Sequence, residues 1–429
     1  MALRDLFADT RPLRVPAYRR LFIANIVTVI GAQLTIVAVP AQIYSITGSS
    51  AYVGLTGIFG LVPLVVFGLY GGSLSDAMDR RRLLMVTGLG LAAASGLLWL
   101  LAFIRTDSVW LVLVALALQQ AFFAVNQPAR SAILPSLVPS SQLAAANTLN
   151  MTLMTFGAIV GPLVGGMLIP VLGYPLLYAF DAVALGVALW AIARLPALPP
   201  RTGVGGQVRR AGFASVMEGF AYLRTSPVLL MSFVVDIIAM VFGMPRAMFP
   251  QIAHESFGGP PSGGAVFALL SAGLSIGATA AGVFSGWVSR VSRQGRAVVI
   301  CIVVWGAAMA LFGAFLPLAH SLWWAALVGA LACLMVGGGA DTISAAFRTT
   351  MLQQAADDDK RGRLQGVFTV VVAGGPRIAD VVHGYATSLV GTAWTSIGGG
   401  VLCIVGVLAA AALAPSFMRY RAPRDTVDG

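Results

Sequence analysis

The sequence predicts an all-α integral membrane protein, with twelve transmembrane helices in two pseudo-symmetric six-helix bundles. Three observations lead there. The 429 residues are 58% hydrophobic and only 10% charged, against roughly 25% charged in soluble chains, and mean hydropathy is +0.88. A crossing helix needs about 20 apolar residues, and twelve runs reach that length. One long polar stretch, 196–226, divides the runs six and six.

The runs lie near 20–46, 50–77, 83–104, 109–134, 141–170, 174–195, 227–253, 261–289, 297–317, 321–347, 363–389 and 393–414. The first carries Asn25, Gln33 and Gln42 and has no small-residue cleavage site after it, so it reads as a retained helix rather than a signal peptide. The stretch after the sixth opens PALPPRTGVGGQVRR, a linker composition. It continues with Phe213, Val216, Met217, Phe220 and Leu223 at helical spacing, which predicts an amphipathic helix lying on the inner membrane face. The expected domains are therefore residues 1–195, a cytoplasmic linker at 196–226, and residues 227–429. The halves repeat weakly: ARSAILPSLVPSSQLAAAN (129–147) aligns with FRTTMLQQAADDDKRGRLQ (347–365), placing Arg130 on Arg348.

Net charge is +11, but its placement argues against nucleic acid. Arginines cluster before the first run, at Arg80 to Arg82, in the 196–226 stretch, at Arg290, Arg293 and Arg296, at Lys360 to Arg363 and at the C-terminus, whereas the alternate loops hold Arg105 alone. This is the positive-inside pattern, with both termini cytoplasmic and basic segments against anionic head groups. Cys301, Cys333 and Cys403 fall inside apolar runs without metal-ligand spacing. No phosphate-cradling loop, G-x-S-x-G turn or histidine cluster occurs, so neither an enzyme nor a resident cofactor or metal is expected.

Two motifs carry more. GGSLSDAMDRRRLL (71–84) joins a glycine-bearing helix end (Gly72), an acid (Asp76) and three arginines (Arg80, Arg81, Arg82). It resembles the loop between helices two and three of the major facilitator superfamily. The resemblance implies a latch in which Asp76 faces the N-terminal end of helix eleven and the arginines meet acids such as Asp357 to Asp359. Ala77 and Asp79 depart from the family pattern, where a basic residue and a glycine are usual, so a looser link is expected. A solvated basic loop would carry the same charges. In the fifth run, FGAIVGPLVGG holds Gly157, Gly161, Pro162, Gly165 and Gly166. This resembles the antiporter signature of proton-driven exporters, in which glycines give a smooth packing face and proline permits a bend. Residues 15–55, 215–227, 242–253 and 362–380 narrow the resemblance to the enterobactin-exporter-like branch, beside the drug:proton antiporters.

Ionisable residues at membrane depth normally pair or line a cavity. They are Asp181, Asp236, Arg246, Asp341, Arg377, Asp380 and His383. Arg377, Asp380 and His383 follow one another at helical spacing, which makes Asp380 the first proton-coupling candidate, with His383 as relay and Asp341 and Asp236 next. A fixed Arg377–Asp380 ion pair is the alternative. Asp181 reads as structural, and Arg130 and Arg348 as interfacial. Gln33, Gln119, Gln120, Asn126 and Phe123, with Arg246, offer hydrogen bonds on an apolar wall that suits an amphipathic substrate; the amides serve equally as glue between helices. The resemblance implies a monomeric exporter in the lipid bilayer of a bacterial cytoplasmic membrane. It would move a small molecule, siderophore or drug, out against entering protons by alternating access. A proton-coupled nutrient uptake carrier and a non-transporting scaffold are the alternatives.

Overall fold

The computed structural model describes residues 9–195, 217–218, 221–355 and 361–421. Almost all of them are helical, and no strand occurs among them. Ten helical stretches are long and apolar enough to cross a membrane. We number the helices α1 (Pro16–Thr47), α2 (Ser50–Ala77), α3 (Arg80–Phe103) and α4 (Val109–Leu137), then α5 (143–172) and α6 (174–193) within the continuous stretch Leu143–Ala193. They continue with α7 (Pro227–Gly243), α8 (Ala265–Val283), α9 (Gln294–Phe315) and α10 (Trp323–Ala355). The stretch Arg361–Leu413 holds α11 (361–390) and α12 (392–413), and a short α13 (Pro415–Arg419) follows.

The two longest stretches are antiparallel pairs. Gly173 and Gly391 sit at φ 72° and 79°, outside helical geometry, a region that costs an L side chain but not glycine. Contacts show the reversal. Gly157, Gly161 and Gly165 of α5 meet Val29, Gln33 and Leu34 of α1 in rising order. On α6, Tyr178 bonds Gln42 while Asp181 bonds Thr35, so α6 runs against α1. Likewise Gly375 of α11 meets Met240 of α7, whereas on α12 Gly399 meets Phe242 and Gly406 meets Ile238. Among the described residues, two of the ten stretches are thus each divided at a glycine into an antiparallel pair.

The chain forms two compact units. One comprises residues 1–47, 59–212 and 262–268; the other comprises 48–58, 213–261 and 269–429. The first is cored by Leu21, Leu83, Leu84, Val125, Ile133 and Ile192, and by an all-alanine contact of Ala24, Ala188 and Ala191. The small side chains let α1 and α6 approach closely. In the second, Leu223, Leu229, Phe233, Leu352, Val367 and Val371 form a cluster. Leu223 is thus a core residue. Of the expected amphipathic helix, Met217 is exposed, while Phe213, Val216 and Phe220 lie outside the described residues.

Apolar side chains also cover the outer surface. Phe103, Val171, Trp324, Trp394 and Leu413 are all more than 60% exposed. In water such a surface would aggregate; in a bilayer it is the solvated face.

Candidate functional site

The glycines of the fifth run all lie on the buried side of α5. Gly157 and Gly161 form a trough for Val29 and Gln33 of α1, and Gly165 receives Leu34 and Val37. Gly166 faces elsewhere: a Cβ there would come within 2.7 Å of Ala268 Cβ. The 262–268 segment reaches it through Gly263 and Gly264, both at positive φ, and the Gly264 N–H donates to the Gly166 carbonyl at 2.9 Å. Gln33 is therefore seated over Gly161.

Of the other expected cavity residues, two are engaged within the bundle. Asn126 donates to Thr87 at 2.8 Å. Gln119 donates to Ser95 at 3.1 Å and to Asp181 at 3.4 Å. Asp181 also accepts from Ser95 at 2.8 Å and Thr35 at 2.9 Å. The result is a buried carboxylate held by neutral donors from α1, α3 and α4. Gln120 is half-buried and Phe123 is exposed along α4.

Arg130 donates to the Asn25 side-chain Oδ1 and lines a cavity of about 220 Å³ with Gln127, Asn147 and Asn150. Arg348, its counterpart in the repeat, is paired with Asp236 and lies 3.7 Å from Asp341. Its side chain is 4% exposed, so the expected interfacial position is corrected: two acids, Asp236 of α7 and Asp341 of α10, hold the guanidinium inside. The sequence separates Asp236 from Arg348 by more than a hundred residues, and no motif links them.

Asp380, the first coupling candidate, pairs with Arg246 at 3.4 Å. Arg377, the partner in the alternative reading, lies near enough to act on the Asp380 charge. Arg377 also donates to the Thr56 carbonyl at 3.4 Å, because the start of α2 packs against α11. There Gly54 lies against the Asp380 carbonyl and Gly384, and Gly57 against Arg377. Arg246, expected on the substrate wall, carries this carboxylate contact. His383 is buried, with Gly399 against its ring, and its Nδ1 has no hydrogen-bond partner among the described residues.

At the 71–84 motif, the surroundings of Gly72, the side chain of Asp76 and residues Asp357 to Asp359 lie outside the described residues. Asp79 does what a glycine could not: its carboxylate accepts from the backbone N–H groups of Arg81 at 2.8 Å and Arg82 at 3.1 Å, capping α3. The Arg81 guanidinium donates to the Ala193 carbonyl at 2.6 Å, a cation placed at the negative end of α6. Arg80 is buried.

A bundle of long apolar helices with a buried Arg348–Asp236 ion pair and glycine-lined seams is the build of a multi-pass membrane transporter rather than of an enzyme. The chain belongs to the Major Facilitator Superfamily, whose family model matches residues 21–379. A relative in Citrobacter koseri, "Enterobactin exporter EntS", is 28% identical over 96% of this chain and 95% of its own length. A Shigella boydii protein of the same name is 28% identical over 92% of this chain and 91% of its own. Among solved structures, a point mutant of the nucleoside transporter NupG superposes with a TM-score of 0.77 at 12% identity, over 92% of this chain and 99% of its own. A bacterial homologue of the iron transporter ferroportin superposes at 0.68 and 14% identity, over 94% and 98%. At these identities the structures speak for the fold alone.

Proposed function

We propose that this chain is a secondary active exporter. It moves a small amphipathic molecule, a siderophore or a drug, outward across the bacterial cytoplasmic membrane by proton antiport and alternating access, and it works as a monomer. The observation that carries the proton is the cluster of Asp236, Arg348 and Asp341. One guanidinium balances one carboxylate, so a second carboxylate is left to be neutralised in a medium where an unbalanced charge costs at least about 2.5–3.5 kcal/mol. A proton is the missing positive charge. Asp341 is its seat: its side chain is 31% exposed and held loosely, whereas Asp236 is 2% exposed and held tightly.

Asp380 is in the opposite position, one acid near two arginines, Arg246 and Arg377. Its charge is already compensated, so the coupling role passes from Asp380 to Asp341, and Asp380 holds Arg246 in place. The antiporter-type glycine face on α5 supports the exporter branch, because its smooth wall lets α1 slide or tilt at low steric cost. Gly72, Asp76 and Arg80 to Arg82 keep their proposed role as the cytoplasmic latch, with Asp79 and Arg81 fastening the start of α3. The relatives named as enterobactin exporters support a catecholate siderophore as the first substrate to try.

The test uses inverted membrane vesicles with an acid interior, followed by a pH-sensitive dye. Iron-free catecholate siderophores are added first, then lipophilic cations, macrolides and tetracyclines. Alkalinisation with one class, absent in Asp341→Asn vesicles and present in Asp380→Asn vesicles, is the expected result. Alkalinisation that survives in Asp341→Asn overturns the assignment of the proton, and substrate accumulation by intact cells overturns export.

A further inference from the structure

The two halves carry the same arginine with different partners. Asn25 follows Pro16, the first residue of α1, by the same interval at which Asp236 follows Pro227, the first residue of α7. Arg130 and Arg348 are the aligned pair on α4 and α10. In one unit Arg348 meets Asp236, a carboxylate. In the other Arg130 meets Asn25, the neutral isostere. No carboxylate of the described residues lies within ion-pairing distance of Arg130. Its Nε is buried and has no hydrogen-bond partner among them.

The surroundings are built for hydrogen bonding. Asn25 uses its oxygen for Arg130 and its amide to donate to Asn150 at 3.5 Å. Asn147, Asn150 and Gln127 line the same cavity of about 220 Å³, and Tyr18 closes it with its hydroxyl tied to the Ala146 carbonyl at 3.2 Å. Amide N–H groups and a guanidinium are donors that match an oxyanion, and arginine offers the two-pronged geometry of carboxylate and phosphate recognition. Arg130 is partly buried, and a partly desolvated cation without a counter-charge carries a cost that a bound anion reduces. The cavity is large enough for a headgroup-sized oxyanion and too small for a whole amphipathic molecule, so it would hold one end of its ligand.

We propose that the cavity around Arg130, Asn25 and Asn150 is an oxyanion site, taking a carboxylate, phosphate or ionised phenolic oxygen. Two sources share that chemistry, a transported solute and the phosphate of an anionic phospholipid. Only the first rests on the export reading.

Asn25→Asp is the discriminating variant, because it copies the other half by giving Arg130 an internal carboxylate. The full chain is purified into phosphatidylcholine nanodiscs, and sodium benzoate and inorganic phosphate are titrated separately against the thermal-unfolding midpoint. In a second arm the nanodiscs contain phosphatidylglycerol, and native mass spectrometry counts the lipid retained. In the parent chain, saturable stabilisation by a soluble anion marks a solute site, and retained phosphatidylglycerol marks a headgroup site. In Asn25→Asp the effect weakens at least about tenfold, the scale of a lost charge-assisted hydrogen bond, while the midpoint without anion stays equal or rises. Arg130→Gln, with folding checked by circular dichroism, should lose the same response. Equal responses in the parent and both variants, or no response in the parent in either arm, overturn the site. Because this assay reads binding and the vesicle assay reads transport, a chain that binds the anion but moves no protons refutes proton antiport and leaves the site standing.

Discussion

At the scale of single residues, Arg348 is the charge on which most depends. Removing one partner of a buried ion pair leaves the other uncompensated, at about 3–5 kcal/mol. Arg348→Gln is therefore expected to lower thermal stability by that amount in detergent, because Asp236, buried beside it, would lose its counter-charge. Asp341→Asn removes the surplus charge instead, so the protein is expected to fold at least as well as the parent and to lose proton coupling. A parent-like dye response from that variant would exclude Asp341 as the coupling acid. Asp380→Asn is expected to behave conversely, with coupling kept and stability lowered, since Arg246 and Arg377 would share no acid. Arg130 has asparagine where Arg348 has aspartate on the first helix of its half, and at the repeat offset Phe123 stands where Asp341 does, so neither acid that meets Arg348 has a counterpart beside Arg130.

At the scale of elements, glycine placement decides how helices meet. Gly166 accepts the 262–268 segment so closely that one added methyl group would collide with Ala268 side chain and backbone. Gly166→Ala is expected to cost about 1–3 kcal/mol, as overpacking does, read as a lowered unfolding midpoint, whereas Gly186→Ala, with open space around it, should leave the midpoint unchanged. Asp79 belongs to the same scale. Asp79→Ala is expected to cost about 1 kcal/mol through the lost N-cap of α3, and Asp79→Asn should recover most of it, since an amide oxygen also accepts from backbone N–H groups. The family's glycine at this position would leave those donors to solvent, so the departure from pattern is a local gain in stability. An aspartate just ahead of a helical run is a cap signal that the chain carries in its sequence.

At the scale of the whole molecule, arginine placement sets orientation. Arg293, Arg296, Arg419 and Arg421 gather around one cavity of about 540 Å³ near the start of α9 and the end of α13. Arg81 and Arg82 lie at the start of α3, whereas Arg105 stands alone in the next loop. The positive-inside rule then predicts that the chain ends and the 79–82 loop lie in the cytoplasm. A single cysteine at Thr106, in a chain with Cys301, Cys333 and Cys403 replaced, is expected to label from outside intact spheroplasts. One at Ser141 or Ser292 should label only after permeabilisation, and the reverse pattern would invert the assignment.

Hydropathy is a one-dimensional quantity, and the long apolar helices were legible from it, whereas the grouping of residues 48–58 with the second compact unit and of 262–268 with the first was not. Composition likewise sufficed for the membrane class, and five glycine and proline positions with one basic loop sufficed for the superfamily. Azimuth was not legible. Whether Gln119 faces a cavity or Asp181 depends on the rotation of α4 about its axis, and whether Asp380 meets Arg377 or Arg246 depends on which helix lies alongside α11. Those choices are made by side chains far apart in the chain, packed in competition with one another. The same distance hid Asp236 from Arg348. Local chemistry is written along the chain, whereas the pairing of buried charges is a property of the packed bundle, where each charge must find its partner in three dimensions or remain open to one from outside.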